Sequence, residues 1–153
     1  MTAIPARWLN LGCGDNKLPC PWENYDRGVD ITKPLPWKDW DAQFILLEHT
    51  LEHVTGPEGY RFMKEAHRIL CPGGILRICV PVLNDIADLK KREDLIINHG
   101  HLMVYSWESL SLMLEAAGFK DVTMCGRKEC DGHWKVIGKE LDDAETLRVE
   151  AIK

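Results

Sequence analysis

The stretch Leu9-Asn10-Leu11-Gly12-Cys13-Gly14, near the start of the sequence, decides the predicted fold. Its apolar residues predict a buried strand. The Gly-x-Gly after them predicts a tight turn, because glycine adopts positive φ and lets a ligand lie against bare backbone. At the carboxyl end of a first parallel strand, such a turn binds nucleotide-like cofactors. A dinucleotide fingerprint needs a third glycine where this sequence has Lys17, so the turn favours a nucleoside cofactor over NAD.

Outward from this turn, segments of strand and helix character alternate along the sequence. The alternation predicts an α/β fold with a mostly parallel sheet and helices on its faces. Prolines at 19, 21, 34 and 36 interrupt the region after the first strand, so we expect reduced helices near strands two and three. The last two strands should form an antiparallel pair at one edge. Predicted strands lie at 7–11, 24–26, 29–31, 41–47, 75–80, 122–125 and 147–152, and predicted helices at 57–70, 85–92 (capped by Asn84) and 107–117 (capped by Ser106).

Length, composition and charge limit the class of protein. The 153 residues fit one domain over residues 1–153, and an apolar content of 45% is that of a globular protein. The sequence contains no apolar run as long as a membrane span, and its start does not have the pattern of a signal peptide. It therefore predicts a cytoplasmic protein with no membrane association. The net charge of −5 argues against nucleic-acid binding.

The six cysteines form no C-x-x-C pair. In a chain without an export signal we expect them to be reduced and mostly packed. Cys125, Cys130 and His133 have the donor types of a zinc site, but their spacing is irregular and no second pair faces them. We therefore expect no metal ion there.

Seven blocks of the sequence carry a family resemblance through their order and spacing. They are LNLGCG at 9–14, WENYD at 22–26, VD at 29–30 before PLP at 34–36, HTLEHV at 49–54, EAHRILCPGG at 65–74, LRICVP at 76–81 and LEAAGFKDV at 114–122. The sequence resembles the class I S-adenosylmethionine-dependent methyltransferases, most of all a small branch that opens with LNLGCG. The resemblance implies a Rossmann-like sheet, an antiparallel last strand, and S-adenosylmethionine as methyl donor.

The resemblance also implies which residues hold the cofactor. The backbone of Gly12, Cys13 and Gly14 should lie against its methionyl part, after Asn10, which stands where many class I enzymes have an acid. Asp26 matches the acid that accepts the ribose hydroxyls, and Asp30 the acid near the adenine amine. Their compressed spacing leaves open which of them serves the ribose. Glu48 should also contact the cofactor.

Two histidines are the candidates for the acceptor side. His49 follows the fourth predicted strand, where the family places groups beside the transferred methyl, and it is the first candidate for a base or orienting group. His101 belongs to a segment that family members often fold over the site. Each has a plainer alternative, since His49 could close a turn and His101 could lie on a surface loop. The implied acceptor is a hydroxyl of a saccharide or small metabolite, and the oligomeric state cannot be predicted.

Two other functions compete with this interpretation. The segment His49-Thr50-Leu51-Glu52-His53 matches H-x-x-E-H, which on a helix would present two imidazoles and a carboxylate for a zinc metalloprotease. The segment follows a predicted buried strand directly and precedes Thr55-Gly56-Pro57, which disfavours a long helix. The other alternative is a non-catalytic cofactor-binding or partner subunit of the same fold, because the sequence offers no extra domain as a substrate lid.

Overall fold

The computed structural model describes residues 6–81, 89–125 and 146–153. Over these ranges the chain forms six strands, three α-helices and one turn of 3₁₀ helix at Leu51–His53. The strands are β1 (Arg7–Leu11), β2 (Trp22–Tyr25), β3 (Ala42–Glu48), β4 (Leu70–Pro81), β5 (Lys120–Cys125) and β6 (Thr146–Ile152). The helices are α1 (Gly56–Ile69), α2 (Leu89–Ile97) and α3 (Trp107–Ala117). Within the described ranges, no helix has both the length and the hydropathy that crossing a membrane requires.

All six strands join one sheet in the order β2-β1-β3-β4-β6-β5. Strand β1 pairs in parallel with β2 and β3, and β3 pairs in parallel with β4. Strand β6 runs antiparallel to both of its neighbours, β4 and β5. The predicted Rossmann-like sheet, mostly parallel with an antiparallel last strand, is therefore confirmed. Because β1, β2 and β3 are parallel, their carboxyl ends meet at the same end of the sheet.

Helix α1 begins at a local sequence signal, and helix α3 both begins and ends at one. Pro57 lies in the first turn of α1, where Glu58 accepts hydrogen bonds from the backbone N–H and the hydroxyl of Thr55 at 2.9 and 2.7 Å. The hydroxyl of Ser106 caps α3 by accepting a backbone hydrogen bond at 3.2 Å. Gly118 ends α3 in the left-handed region at φ 109°. The predicted helix at 107–117 and its cap are confirmed.

The two faces of the sheet are covered differently. On one face α1 and α3 supply apolar side chains to the main core, which includes Leu9, Leu11, Ile45, Leu47, Phe62, Met63, Leu76, Ile78, Leu110 and Leu114. On the other face the ring of Trp8 packs edge-on against Phe44 and Trp22, with centroids 4.8 and 5.6 Å away. Residues 12–21 and 26–41, all of them described, contain turns and no helix. The expected reduction of helices near the second and third predicted strands is confirmed.

Two predicted strands differ from the structure. Residues 29–31 form no strand, because the Asp30 carboxylate accepts a hydrogen bond from the Thr32 backbone N–H at 2.9 Å and bends the chain into a turn. Strand β4 begins before the predicted start at 75, since Leu70 already pairs with Ala42 of β3. The remaining predicted strands are present with small changes at their ends.

The helix predicted at 85–92 needs correction. Helix α2 continues to Ile97, beyond the predicted end, and buries Leu95 in its last turn. Its predicted cap, Asn84, lies outside the described residues.

Cys125 is disulfide-bonded, so the expectation of reduced thiols is wrong for it. That expectation holds for the four free cysteines, which are Cys13, Cys20, Cys71 and Cys79. Cys130 and His133 lie outside the described residues.

Candidate active site

A cavity of about 300 Å³ opens at the carboxyl ends of β1 and β3. Open α/β sheets bind ligands in this place, where neighbouring parallel strands deliver their terminal residues. The lining consists of Asn10, Gly12, Cys13, Gly14, Asp15, Asn16, Glu48 and His49. Six of the residues that the sequence predicted for the site therefore lie together. The other three predicted residues, Asp26, Asp30 and His101, are not part of this lining.

The glycine turn has a backbone conformation that favours glycine. The φ angles of Gly12 and Gly14 are 66° and 48°. A Cβ on Gly12 would overlap the side chain of Thr50, whose hydroxyl lies 3.4 Å from the Gly12 carbonyl oxygen and 3.0 Å from that of Glu48. On Gly14, a Cβ would have no described atom within 4 Å. The turn is therefore tightly packed at Gly12 and open at Gly14.

Amide side chains fix the loop that follows the glycine turn. Asn10 is 1% exposed, and its Nδ2 donates to the Asn16 carbonyl at 3.0 Å and to the Asn24 Oδ1 at 2.9 Å. Asn24 also accepts from the backbone N–H of Leu18 at 2.8 Å and donates to its carbonyl at 2.9 Å. The Asn16 side chain donates to Glu48 Oε2 at 3.3 Å. The network joins the ends of β1, β2 and β3 and orients the Glu48 carboxylate.

Sequence reasoning missed several residues of this region. Asp15 and Asn16 line the cavity, and the available signal was their position directly after the glycine turn, where side chains that bind backbone groups are common. Thr50 was not assigned a role because only the folded chain brings it against Gly12.

Asp26 and Asp30 follow β2 in different settings. Asp26 comes directly after Tyr25, whose carbonyl accepts a hydrogen bond from the Cys13 backbone N–H at 3.1 Å. Burial, and next the nearby Asp26 carboxylate, raise the pKa of the Cys13 thiol. The hydroxyl and backbone N–H of Thr32 donate to the Asp30 carboxylate at 2.7 and 2.9 Å and lower its pKa. Asp26 thus lies beside the glycine turn, whereas Asp30 is engaged in a turn of its own.

His49 has a backbone conformation that is uncommon for a residue other than glycine, with φ 47°. Its backbone N–H donates to the Cys79 carbonyl at 2.9 Å. Its Nδ1 lies 3.5 Å from Glu52 Oε1, and its Nε2 lies 3.3 Å from the Thr146 hydroxyl. Contacts at both ring nitrogens therefore orient the imidazole in the cavity lining.

The H-x-x-E-H segment does not form the helical site that the zinc-protease alternative requires. Only Leu51–His53 is helical, as a single 3₁₀ turn. His49 precedes this turn with a left-handed φ. His49 and His53 are therefore not placed on successive turns of one α-helix, which is the arrangement on which that alternative depends.

Glu52 is the shared neighbour of several polar side chains next to the cavity. It is 2% exposed, while His101 is 7% exposed and its ring packs edge-on against His53 at a centroid distance of 4.9 Å. Burial lowers the pKa of the His101 imidazole, and the Glu52 carboxylate opposes this shift. Burial, and then the Glu52 carboxylate, raise the pKa of Tyr105 to about 12. Glu52 therefore connects His49 in the cavity lining to the segment that carries His101.

Comparisons with known proteins identify the family. A family model described as a methyltransferase domain matches residues 3–124, most of the chain. No curated protein matches the chain significantly in sequence. Among solved structures, a SAM-dependent methyltransferase from Archaeoglobus fulgidus matches with a TM-score of 0.68 at 15% identity, over 97% of this chain and 86% of that one. A SAM-dependent methyltransferase from Thermotoga maritima matches with a TM-score of 0.68 at 18% identity, over 99% and 84%.

A larger enzyme contains the same fold. Haemonchus contortus phosphoethanolamine N-methyltransferase 2, in complex with S-adenosyl-L-methionine, matches with a TM-score of 0.67 at 10% identity, over 97% of this chain and 48% of its own. At such identities the structures establish the fold, and the family model establishes membership without distinguishing the branch that opens with LNLGCG. The chain belongs to the methyltransferase-domain family and is an S-adenosylmethionine-dependent methyltransferase.

Proposed function

We propose that this methyltransferase acts on a hydroxyl of a saccharide or another small-molecule acceptor, as a single domain over residues 1–153. The observation that carries the proposal is the meeting of two features in one cavity: the glycine turn after β1, and Glu48 with His49 at the end of β3. The first offers backbone to the cofactor, and the second offers side chains to the reacting groups. We also propose a cytoplasmic location, which the four free cysteines support although Cys125 is disulfide-bonded.

The cavity fits S-adenosylmethionine, which supplies a methyl group already activated by a positively charged sulfur. Open space at Gly14 allows the methionyl part to lie against the backbone of Gly12, Cys13 and Gly14. The buried Glu48 carboxylate, oriented by Asn16 at 3.3 Å, favours a cationic group in the cavity. Asn10 contributes by fixing the loop that carries Asn16.

The aspartates complete the proposed cofactor site. We assign Asp26 to the ribose hydroxyls because it directly follows β2, lies beside the glycine turn and is exposed. A carboxylate accepts hydrogen bonds from both hydroxyls of a diol. We assign Asp30 to the adenine amine. Its Oδ1 accepts the two bonds from Thr32, and Oδ2 is the atom offered to the amine.

His49 is the proposed base or orienting group for the acceptor. Methyl transfer requires the acceptor to be aligned with the activated methyl group, water to be excluded, and the hydroxyl proton to be removed. With Nδ1 directed at Glu52, Nε2 is the nitrogen that meets a hydroxyl, as it does with Thr146 at 3.3 Å. His101 is the second candidate on the acceptor side, and Glu52 lies between the two histidines.

Ligand-dependent melting tests the cofactor site. S-adenosylmethionine or S-adenosylhomocysteine at about 100 times its dissociation constant adds about 2.7 kcal/mol to the free energy of unfolding. For a domain of this size the melting temperature should then rise by several degrees. NAD should produce no rise, and a rise with NAD alone would overturn the assignment.

Turnover separates an enzyme from a cofactor-binding subunit. The protein is incubated with S-adenosylmethionine and a panel of saccharides and small alcohols, and released S-adenosylhomocysteine is measured. We expect acceptor-dependent release, and we expect His49→Asn to slow it at least about 100-fold while the melting shift with cofactor persists. Asparagine suits this position because it adopts left-handed φ readily. Cofactor binding without release for any acceptor would favour the non-catalytic subunit.

A further inference from the structure

Three side chains that the methyl-transfer proposal does not use as a unit converge beside the cavity. The nearest ligand-type atoms of Glu52, His53 and His101 all lie within 4.8 Å of one another. Glu52 and His101 are buried, whereas His53 is exposed. We call these three residues the Glu52 cluster. Two imidazoles and one carboxylate are ligands that bind divalent transition-metal ions.

Backbone hydrogen bonds hold the two parts of the Glu52 cluster together. Glu52 and His53 belong to the 3₁₀ turn after β3, and His101 follows α2. The carbonyl of Glu52 accepts from the backbone N–H groups of Leu102 and Met103 at 2.8 and 3.1 Å. The His101 backbone N–H donates to the Leu95 carbonyl at 3.2 Å. The convergence is therefore built by the fold and does not depend on the position of a mobile side chain alone.

The buried carboxylate has unused bonding capacity. Glu52 Oε1 lies 3.5 Å from His49 Nδ1, but Oε2 is buried and has no hydrogen-bond partner among the described residues. The hydroxyl of Tyr105 is also buried and has no hydrogen-bond partner among the described residues. Burying an ionised carboxylate oxygen without a partner is costly, and a bound cation removes that cost.

We propose that Glu52, His53 and His101 bind one divalent transition-metal ion of the zinc and cobalt type. Imidazole ligands favour such ions over Mg²⁺ and Ca²⁺, which prefer oxygen ligands. Metal bonds of about 2.1 Å bring tetrahedral ligand atoms to about 3.4 Å from one another, so ligand atoms that now lie up to 4.8 Å apart must approach by as much as about 1.4 Å. The His53 side chain is exposed, and its one described ring contact is with His101, another member of the cluster, so it has room to move toward the two buried ligands.

The cluster differs from the donor set suggested by the H-x-x-E-H pattern. That pattern pairs His49 with His53, but the His49 nitrogens contact Glu52 and Thr146 instead. In the folded chain the second imidazole comes from His101. Three protein ligands would leave coordination positions of the ion open. If the proposed methyl transfer is correct, an acceptor oxygen can occupy one of these positions, close to His49.

Cobalt titration tests the metal site without reference to any acceptor. Protein freed of metal by a chelator is titrated with Co²⁺, and its visible absorption and the bound metal per chain are measured. We expect one Co²⁺ per chain, displacement by Zn²⁺, and no displacement by Mg²⁺ at the same concentration. A chain that takes up no Co²⁺ would overturn the proposal, and a buried water molecule would then account for the unpartnered Oε2 of Glu52.

Three variants assign the ligands. His53→Ala should weaken Co²⁺ binding at least about tenfold, and it changes an exposed side chain, so loss of folding is not expected. Glu52→Gln should have a similar effect while preserving the shape of the buried side chain. His99→Ala is the matched control, because His99 is exposed, lies 5.8 Å from the His101 ring by centroid and contacts Asp94. Co²⁺ binding that is unchanged in His53→Ala and Glu52→Gln would contradict the assignment.

Cofactor binding separates this proposal from the proposed function. Because the glycine turn and the Glu52 cluster are different groups of residues, His53→Ala should keep the melting shift with S-adenosylhomocysteine. Loss of metal with an intact cofactor shift supports two sites. Once an acceptor is found, its turnover should fall in chelated protein and recover with added Zn²⁺ or Co²⁺. If protein that binds the metal has the same turnover with and without it, the ion takes no part in the reaction, although the binding site is still supported.

Discussion

The side chain of Thr50 occupies the space in which a Cβ on Gly12 would lie. Gly12 has a positive φ, so two independent constraints, backbone conformation and close packing, select glycine at this position. Thr50 follows His49 by one residue, and its hydroxyl also lies 3.0 Å from the Glu48 carbonyl oxygen. The contact therefore sets how closely the glycine turn of β1 approaches the end of β3.

Substitution of Gly12 by alanine should therefore damage the cofactor site. We expect Gly12→Ala to weaken S-adenosylhomocysteine binding at least about tenfold, because either Thr50 or the turn must move. The left-handed conformation adds a strain of about 1–2 kcal/mol in the free energy of unfolding. Titration calorimetry measures the affinity, and urea denaturation measures the stability.

Gly73→Ala is the control for backbone strain. Gly73 has φ 75° and, with a Cβ, would have no described atom within 4 Å. It lies near the amino end of β4, away from the carboxyl ends of the strands that form the cavity. The control should lose comparable stability and keep its cofactor affinity. Equal losses of affinity in both variants would show that strain, and not contact with Thr50, explains the effect.

The two aspartates should differ in their contribution to cofactor binding. Asp26→Asn removes a charged acceptor that we assign to the ribose hydroxyls, so S-adenosylhomocysteine affinity should fall roughly 10- to 100-fold, the equivalent of about 1.4–2.7 kcal/mol. Asp30→Asn keeps the bonds from Thr32 on the amide oxygen but replaces Oδ2 by an NH2 group, which cannot accept from the adenine amine. Since one hydrogen bond to the ligand is lost and not two, the variant should cost less than about tenfold. Both residues are exposed, so the ligand-free melting temperature should change little. A larger loss for Asp30→Asn would reverse the two assignments.

Local signals in the sequence predicted most of the framework. Alternating and continuous apolar runs located β1 and β3, and the caps Ser106 and Gly118 placed α3 correctly. These features depend on short-range conformational preference and on which face is buried. The Gly-x-Gly turn also predicted the place of the cavity, because the carboxyl ends of parallel strands lie together.

Contacts between distant segments were beyond sequence reasoning. The neighbours of Glu52 include His101, which reaches it only through the path of the chain after α2. The pattern H-x-x-E-H instead suggested a partner for His53 within the same segment. The turn at Asp30 was predicted as a strand because its apolar neighbours outweighed the tendency of aspartate to bind nearby backbone groups.

A buried ion pair joins the two central antiparallel strands. Arg77 of β4 is directly opposite Glu150 of β6, and its guanidinium donates to the Glu150 carboxylate at 2.8 Å. Both side chains are nearly inaccessible to solvent. Glu150→Ala should lower the free energy of unfolding by about 3 kcal/mol, because it leaves a buried cation with less compensation. Combining Arg77→Met with Glu150→Leu should restore most of the loss, which urea denaturation of the single and double variants would measure.

His67 should make the stability of the protein dependent on pH. Its ring packs edge-on against Phe119 at 5.1 Å. Burial lowers the pKa of His67, and the positive charge of Lys153 lowers it further, whereas a hydrogen bond with the Gly118 backbone raises it. The charges of Lys64 and Lys120 make smaller contributions in the same direction as burial. Because the folded pKa is below the unfolded value of about 6.5, the unfolded chain binds a proton first as the pH falls. The contribution of His67 to stability is therefore lost below about pH 6.5.

Urea denaturation at pH 7.5 and pH 5.5 tests this effect with a matched pair of variants. His67→Gln removes the titrating group, so its midpoint should fall less between the two pH values than that of the parent protein. His99→Gln removes an exposed histidine and should fall as much as the parent. The glutamine changes the packing in the same way at both pH values. This change therefore cancels when the shift of the midpoint between pH 7.5 and pH 5.5 is compared among the proteins. Parallel behaviour of His67→Gln and the parent would mean that the shifted titration of His67 does not contribute to the pH dependence of folding.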